Sequence, residues 1–416
     1  MRADKNMQND SLVNRSLDRR RFLRLGAGTA GAFGFGLPCL GAQAAGRKGD
    51  RGEGDPGGTL VLIQLSGGND GLSTVVPFGE DGYHRVRSTT RLEEKDVLRL
   101  DERRGLHPAL GKLREQFDRG ALAIVEGVGY PRPNRSHFKS MEIWHAADPR
   151  GRRVGTGWVG RLVEQAFPMH DPLRVIHVGA TAPFSLASEE APPLAFVSPA
   201  AYRRIGFEDE AGGYPMPAAG EPTGGALDHV RRVLAEAEAS SARLREAVAS
   251  YEPRVEYPDQ PFAAGLRTIA AILEAGVGAR VLSIELSGFD THNDQRRRHD
   301  RQMEQLDAAL GPFLLDLEES AAGRSALVCA FSEFGRRVAE NGSRGTDHGT
   351  AAPLFVAGTR VVGGFHGESP SLDELDEGDL IHTTDFRSVY ATLIEDLFGL
   401  PAERVLGKPW PRLGFV

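Results

Sequence analysis

Five short segments bring together side chains that can do chemistry. Ser66-Gly67-Gly68-Asn69-Asp70-Gly71 offers a carboxylate beside glycines that let backbone approach a ligand, or else a simple Asx turn. Ser287-Gly288-Phe289-Asp290-Thr291-His292 places an Asp and a His two apart, a carboxylate and an imidazole suited to a divalent, zinc-class metal. The competing reading is a helix cap by Asp290 or Asn293. Ser332-Glu333-Phe334-Gly335-Arg336-Arg337 supplies a carboxylate for a metal or for orienting a ligand, and arginines that could grip an anion with two bonds or form a surface ion pair. Gly345-Thr346-Asp347-His348-Gly349-Thr350 holds adjacent Asp and His between glycines. Asn134-Arg135-Ser136-His137-Phe138-Lys139 opens a helix. Ser136 there is an N-cap or a nucleophile at the positive end of the dipole, a place that suits phosphate or sulfate, with Arg135 and Lys139 adding charge of the right sign.

Four of these segments border an apolar, β-branched run. Thr59–Leu65 reads as a buried strand stopped by Gly67-Gly68, and similar strands recur at 121–125, 174–178, 280–286, 325–331 and 353–356. Helical patterns at 262–275, 294–319 and 384–397 separate several of them. Such alternation predicts an α/β fold, a mostly parallel central sheet with helices on both faces. In that architecture ligands gather at the carboxyl ends of strands, which is where the polar segments fall. Residues 228–251, rich in Ala, Glu and Arg, predict a helical insertion within about 211–258, and 151–158 a second, shorter one.

The chain has 416 residues, 26% charged and 40% hydrophobic, with a net charge of −7. That balance fits a globular protein and gives no basic face for nucleic acid. No apolar run reaches the ~18 residues of a membrane span. Residues 1–44 read as an export signal: Arg19-Arg20-Arg21-Phe22-Leu23-Arg24, a Gly/Ala-rich stretch, then Ala42-Gln43-Ala44. The pattern resembles a twin-arginine signal and predicts a periplasmic or secreted protein. Without that segment the chain carries 43 basic against 54 acidic residues, a net of −11. Cys329 then remains without a partner for an internal disulfide, in a strand that predicts burial. Residues 45–58 read as a tether and 59–416 as a single domain. No Gly-x-Ser-x-Gly elbow occurs, and neither a P-loop nor Gly-x-Gly-x-x-Gly follows the first strand.

Taken in order, the segments resemble a bacterial family, domain of unknown function 1501. The likeness rests on the Arg-Arg-Arg-Phe-Leu signal, Gly67-Gly68-Asn69-Asp70-Gly71, Asn134–Phe138, Asp290-Thr291-His292, Ser332–Arg337, Thr346–Thr350 and Thr383-Thr384-Asp385-Phe386-Arg387. Through it the chain is similar to the alkaline phosphatase and sulfatase superfamily. That resemblance implies an alkaline-phosphatase-like sheet carrying one or two zinc-class ions. Asp70, Ser136, Asp347 and His348 would share one metal, and Asp290 and His292 would belong to a second. A last His ligand is still wanted, with His366 and His382 downstream as candidates.

The function expected is an exported metal-dependent hydrolase of small-molecule or glycan phosphate or sulfate esters. Ser136 would be its nucleophile, with Arg135 and Arg336 as catalytic cations. The alternative is a non-catalytic secreted binding or assembly protein that keeps the fold and a partial metal site.

Overall fold

A computed structural model describes residues 57–151, 155–167, 171–190, 192–200 and 239–416. The predicted export signal, most of the predicted tether and the first part of the predicted insertion lie outside the described residues. Arg51–Val416 make up one unit; the other, Met1–Asp50, is likewise outside them.

Among the described residues the main sheet has nine strands. In chain order they are β1 (Thr59–Ser66), β2 (Leu122–Gly129), β3 (Val175–Val178), β4 (Leu194–Phe196), β5 (Val281–Ser287), β6 (Ala326–Phe331), β7 (Ala352–Ala357), β8 (Gly364–His366) and β9 (Thr384–Asp385). Across the sheet the order is β8-β2-β7-β6-β1-β5-β3-β4, with β9 also on β2. Central β1 pairs in parallel with β5 and β6, in register Leu60↔Val281 and Leu60↔Leu327. Only β7 runs against its neighbours, antiparallel to both β2 and β6.

That reversal matters for the site. The loop entering β7 arrives at the same edge as the loops leaving β1, β2, β5 and β6. Residues 347–350 therefore join the carboxyl ends of the parallel strands, although they precede their own strand.

Side-chain alternation along β1 explains the two layers of helix. Val61, Ile63 and Leu65 enter one core, which packs α1 (Gly111–Asp118), α4 (Pro261–Glu274) and α5 (Gln295–Glu319). Leu60 and Leu62 enter the other, with α2 (His137–Ala146), α3 (Trp158–Ala166) and α6 (Phe386–Phe398). Leu60, Val61 and Ile63 are fully buried, each contributing about 1.5–3 kcal/mol of apolar transfer. Cys329 on β6 is free and buried as expected. Of the predicted insertion, residues 239–249 are helical and send Leu244 and Ala247 into the first core. No helix among the described residues is long and apolar enough to cross a membrane.

Candidate metal centre

His137 is the first residue of α2, and Ser136 is its N-cap, with extended backbone and no side-chain cap bond. A relay fixes this helix start. The Tyr130 hydroxyl accepts from the Asn134 amide at 3.0 Å and lies 3.0 Å from Ser140 Oγ, which donates to the Glu333 carbonyl at 2.6 Å. Asp290 and His292 stand just beyond β5, and His348 in the loop entering β7.

These residues converge. Asp290 Oδ1 lies 3.1 Å from His292 Nε2, 3.2 Å from His348 Nε2 and 3.5 Å from His137 Nε2. The two nitrogens of His292 and His348 are 2.8 Å apart. Among the described residues, His137, Asp290 and His348 offer ligand atoms all within 4.8 Å of one another, and His292 stands beside that trio, outside it.

Each imidazole is oriented by its other nitrogen. His137 Nδ1 faces Glu333 Oε1 at 2.7 Å, His348 Nδ1 the Arg135 carbonyl at 2.7 Å, and His292 Nδ1 faces Asp347 Oδ1 at 3.3 Å. Carboxylates and carbonyls only accept, so a proton on each Nδ1 would satisfy these contacts and would free each Nε2 to turn a lone pair inward. His137 Nε2 is buried with no hydrogen-bond partner. A carboxylate or carbonyl behind a histidine is the usual outer support of a metal ligand. Three imidazole nitrogens and one carboxylate oxygen are the donor types of a zinc-class site.

The electrostatics agree. Burial alone would raise the pKa of Asp290, but the Arg336 guanidinium at 2.7 Å and the neighbouring histidines bring it down to about 2. The Glu333 hydrogen bond lifts the pKa of His137, whereas burial lowers that of His348. Glu333 itself stays ionised despite burial, because His137 and the Gly67 amide both bond to it.

Several expectations need correction. Asp70 does not join the cluster: it is fully buried, and both its oxygens are taken by Arg87, with Ser73 and Gln295 adding further bonds. Asp347 lies 3.3 Å from His292 Nδ1 and accepts from Asn341 at 3.0 Å, so it stands behind His292, outside the cluster itself. Arg336 is almost completely buried. Its Nε donates to the Gly68 carbonyl and its Nη1 to that of Thr346, while Nη2 reaches the carbonyls of Gly67 and Phe289 as well as Asp290. With those donors spent it positions Asp290 and holds three loops together; it is not an anion clamp. Arg135 turns its guanidinium to Asp379 and Glu377. Neither Asp290 nor Asn293 caps a helix, since α5 begins after Asp294.

The glycines of the first segment also serve the protein itself. A Cβ on Gly67 would lie 2.4 Å from the Asp290 amide, and one on Gly68 2.3 Å from the Phe334 ring. Phe334 in turn packs on His137 and His348, with ring centroids 4.8 and 5.0 Å apart. Nor is the last ligand either downstream histidine. His366 bonds to the Val362 carbonyl and meets Phe415, and neither it nor His382 belongs to the cluster. The third histidine of the cluster is instead His137, which follows Ser136 directly. Its signal was a His next to a helix start in a segment already marked for chemistry.

Residues 128–408 match the model of a family described as "Protein of unknown function (DUF1501)". No curated protein matches. Among solved structures the chain is similar to a protein in the alkaline phosphatase superfamily from Vibrio parahaemolyticus, at 11% identity and TM-score 0.38, covering 85% of this chain and 71% of that one. It is also similar to a putative sulfatase from Bacteroides thetaiotaomicron, at 11% identity and TM-score 0.39, covering 86% and 76%. A third is a lipoteichoic acid synthase from Listeria monocytogenes, at 10% identity and TM-score 0.36, covering 73% and 65%.

Proposed function

We propose, from the premise that this chain belongs to the DUF1501 family of proteins of unknown function, that it is a metal-dependent hydrolase of phosphate or sulfate esters. His137, Asp290, His292 and His348 would hold one zinc-class cation, and Ser136 would be the nucleophile. One observation carries the reading: the Nε2 atoms of three histidines gather around one carboxylate oxygen, each imidazole held by an acceptor behind it. A cation among these atoms would satisfy the inward nitrogens together with Asp290, whose charge Arg336 already balances from one side at 2.7 Å.

When bound, such a cation supplies Lewis acidity, drawing charge from an ester oxygen and lowering the pKa of a hydroxyl beside it. The chain's own residues do the rest. Ser136 is exposed, its hydroxyl makes no cap bond, and its amide is held by Asn134 Oδ1 at 2.9 Å. It precedes His137 directly, so the relay that fixes the imidazole also fixes the nucleophile's backbone. The start of α2, ten residues long, favours the negative equatorial oxygens of a phosphoryl or sulfuryl group. Arg336 and Glu333 hold Asp290 and His137 in place. Substrates would be small-molecule or glycan esters, and the Arg19–Arg24 signal supports export by the twin-arginine route.

A second reading, a non-catalytic binding or assembly protein, is favoured by the engagement of Arg135 and Arg336 within the protein. The test is turnover of an aryl phosphate, a phosphodiester and an aryl sulfate by the purified, zinc-loaded chain, beside Ser136→Ala. Hydrolysis that disappears in the variant supports the enzyme. Tight zinc without turnover supports the binding protein, and turnover unaffected by Ser136→Ala removes the serine.

A further inference from the structure

We infer that Arg87 is a built-in cation that occupies Asp70, so that the protein holds one metal ion and not two. The inference rests on the metal reading of the histidine cluster. Asp70 stands at the carboxyl end of the central strand, where the family resemblance implies a ligand for an ion shared with Ser136, Asp347 and His348, distinct from the ion of Asp290 and His292. Its oxygens are instead saturated. Oδ1 accepts from Arg87 Nη2 at 2.9 Å; Oδ2 accepts from Arg87 Nη1, from Ser73 Oγ at 2.8 Å and from Gln295 Nε2.

The arginine is equally committed. Nε donates to the Val338 carbonyl at 2.8 Å, Nη2 also to the Arg337 carbonyl at 2.9 Å, and Nη1 also to Ser73 Oγ at 3.1 Å. All five N–H groups of a guanidinium are thereby assigned. Both side chains are completely buried. A metal on Asp70 would displace Arg87 and leave its charge buried without a counter-ion, a state that proteins strongly disfavour.

The pair also braces the site from behind. Gln295, which donates to Asp70, accepts from Thr291 and Thr346, the neighbours of His292 and Asp347. The Arg87 acceptors Arg337 and Val338 directly follow Arg336. A fixed guanidinium thus does what a second ion would otherwise do, tying Asp70 to the loops that carry the ligands.

The test is zinc per chain, by elemental analysis of the purified full chain after loading and removal of excess. One ion supports the inference. Two overturn it while leaving the metal reading intact, and none overturns both. An Arg87→Gly variant adds a sharper arm. The expected result is a second zinc per chain, or a melting temperature raised by millimolar guanidinium but not by equal sodium chloride. A folded variant that still binds one zinc and ignores guanidinium overturns the role of Arg87. If that variant does not fold, the count on the unaltered chain decides.

Discussion

Glu333→Gln isolates the support behind one ligand. Glu333 is 1% exposed, and its Oε1 accepts both from the Gly67 amide at 3.0 Å and from His137 Nδ1 at 2.7 Å. A glutamine can keep both bonds with its carbonyl oxygen and place its amide nitrogen where Oε2 sits, 3.1 Å from Ser332 Oγ. Shape is retained and the negative charge is lost. Removing such an outer partner typically weakens metal binding about 10–100-fold, or about 1.4–2.8 kcal/mol. Asp347→Asn should cost less, because Asp347 is 57% exposed and 3.3 Å from His292 Nδ1. The measurement is zinc competition against a chromogenic chelator, at neutral pH and in mild acid. The same carboxylate that orients His137 also raises its pKa, so in acid the proton competes harder with zinc in the unaltered protein. The gap between the two proteins should therefore narrow as pH falls. Equal affinities at neutral pH, or a larger loss in Asp347→Asn, would refute the reasoning.

Acid should unfold the protein early. Burial holds His145 and His177 at about 4 and His299 at about 3, against 6.5 ordinarily, so all three are neutral when folded. Their contribution is complete above the unfolded value and is lost as pH falls toward the folded ones, each adding up to about 1.4 kcal/mol per pH unit. A denaturant midpoint that stays level from neutral pH down to about 5 would contradict this. Gly68→Ala should lower stability by about 1–3 kcal/mol and weaken zinc binding, since the new methyl, at a φ of +72°, collides with Phe334, the ring that packs on His137 and His348. Calorimetry and zinc titration check it against Gly111→Ala, whose methyl would meet nothing within 4 Å.

Strand and helix positions were legible because burial on both faces of a sheet writes continuous apolar runs into β1, β5 and β6. The direction of β7 was not: Ala352–Ala357 is apolar like its parallel neighbours, and nothing in the run itself marks reversal. In the site, Asp290, His292 and His348 could be picked out by residue type and position at strand ends. Asp70 and Arg336 share those marks yet act differently, because partners distant in the chain, Arg87 and the backbone carbonyls of three loops, decide which atoms stay available. His137 was obscured by its neighbours Arg135 and Ser136. Its importance depends on Glu333, nearly two hundred residues away, and so on the fold itself.

The four proposed ligands come from three stretches of chain, around residues 137, 290 and 348, which meet only at one edge of the sheet. An unravelled polypeptide therefore has no ready chelate beyond the short Asp290–His292 pair. Whatever affinity the assembled pocket has is drawn almost wholly from the native form, so a cation there acts as a fastener. Occupancy and resistance to melting should rise together, and stripping the ion should loosen three distant stretches at once.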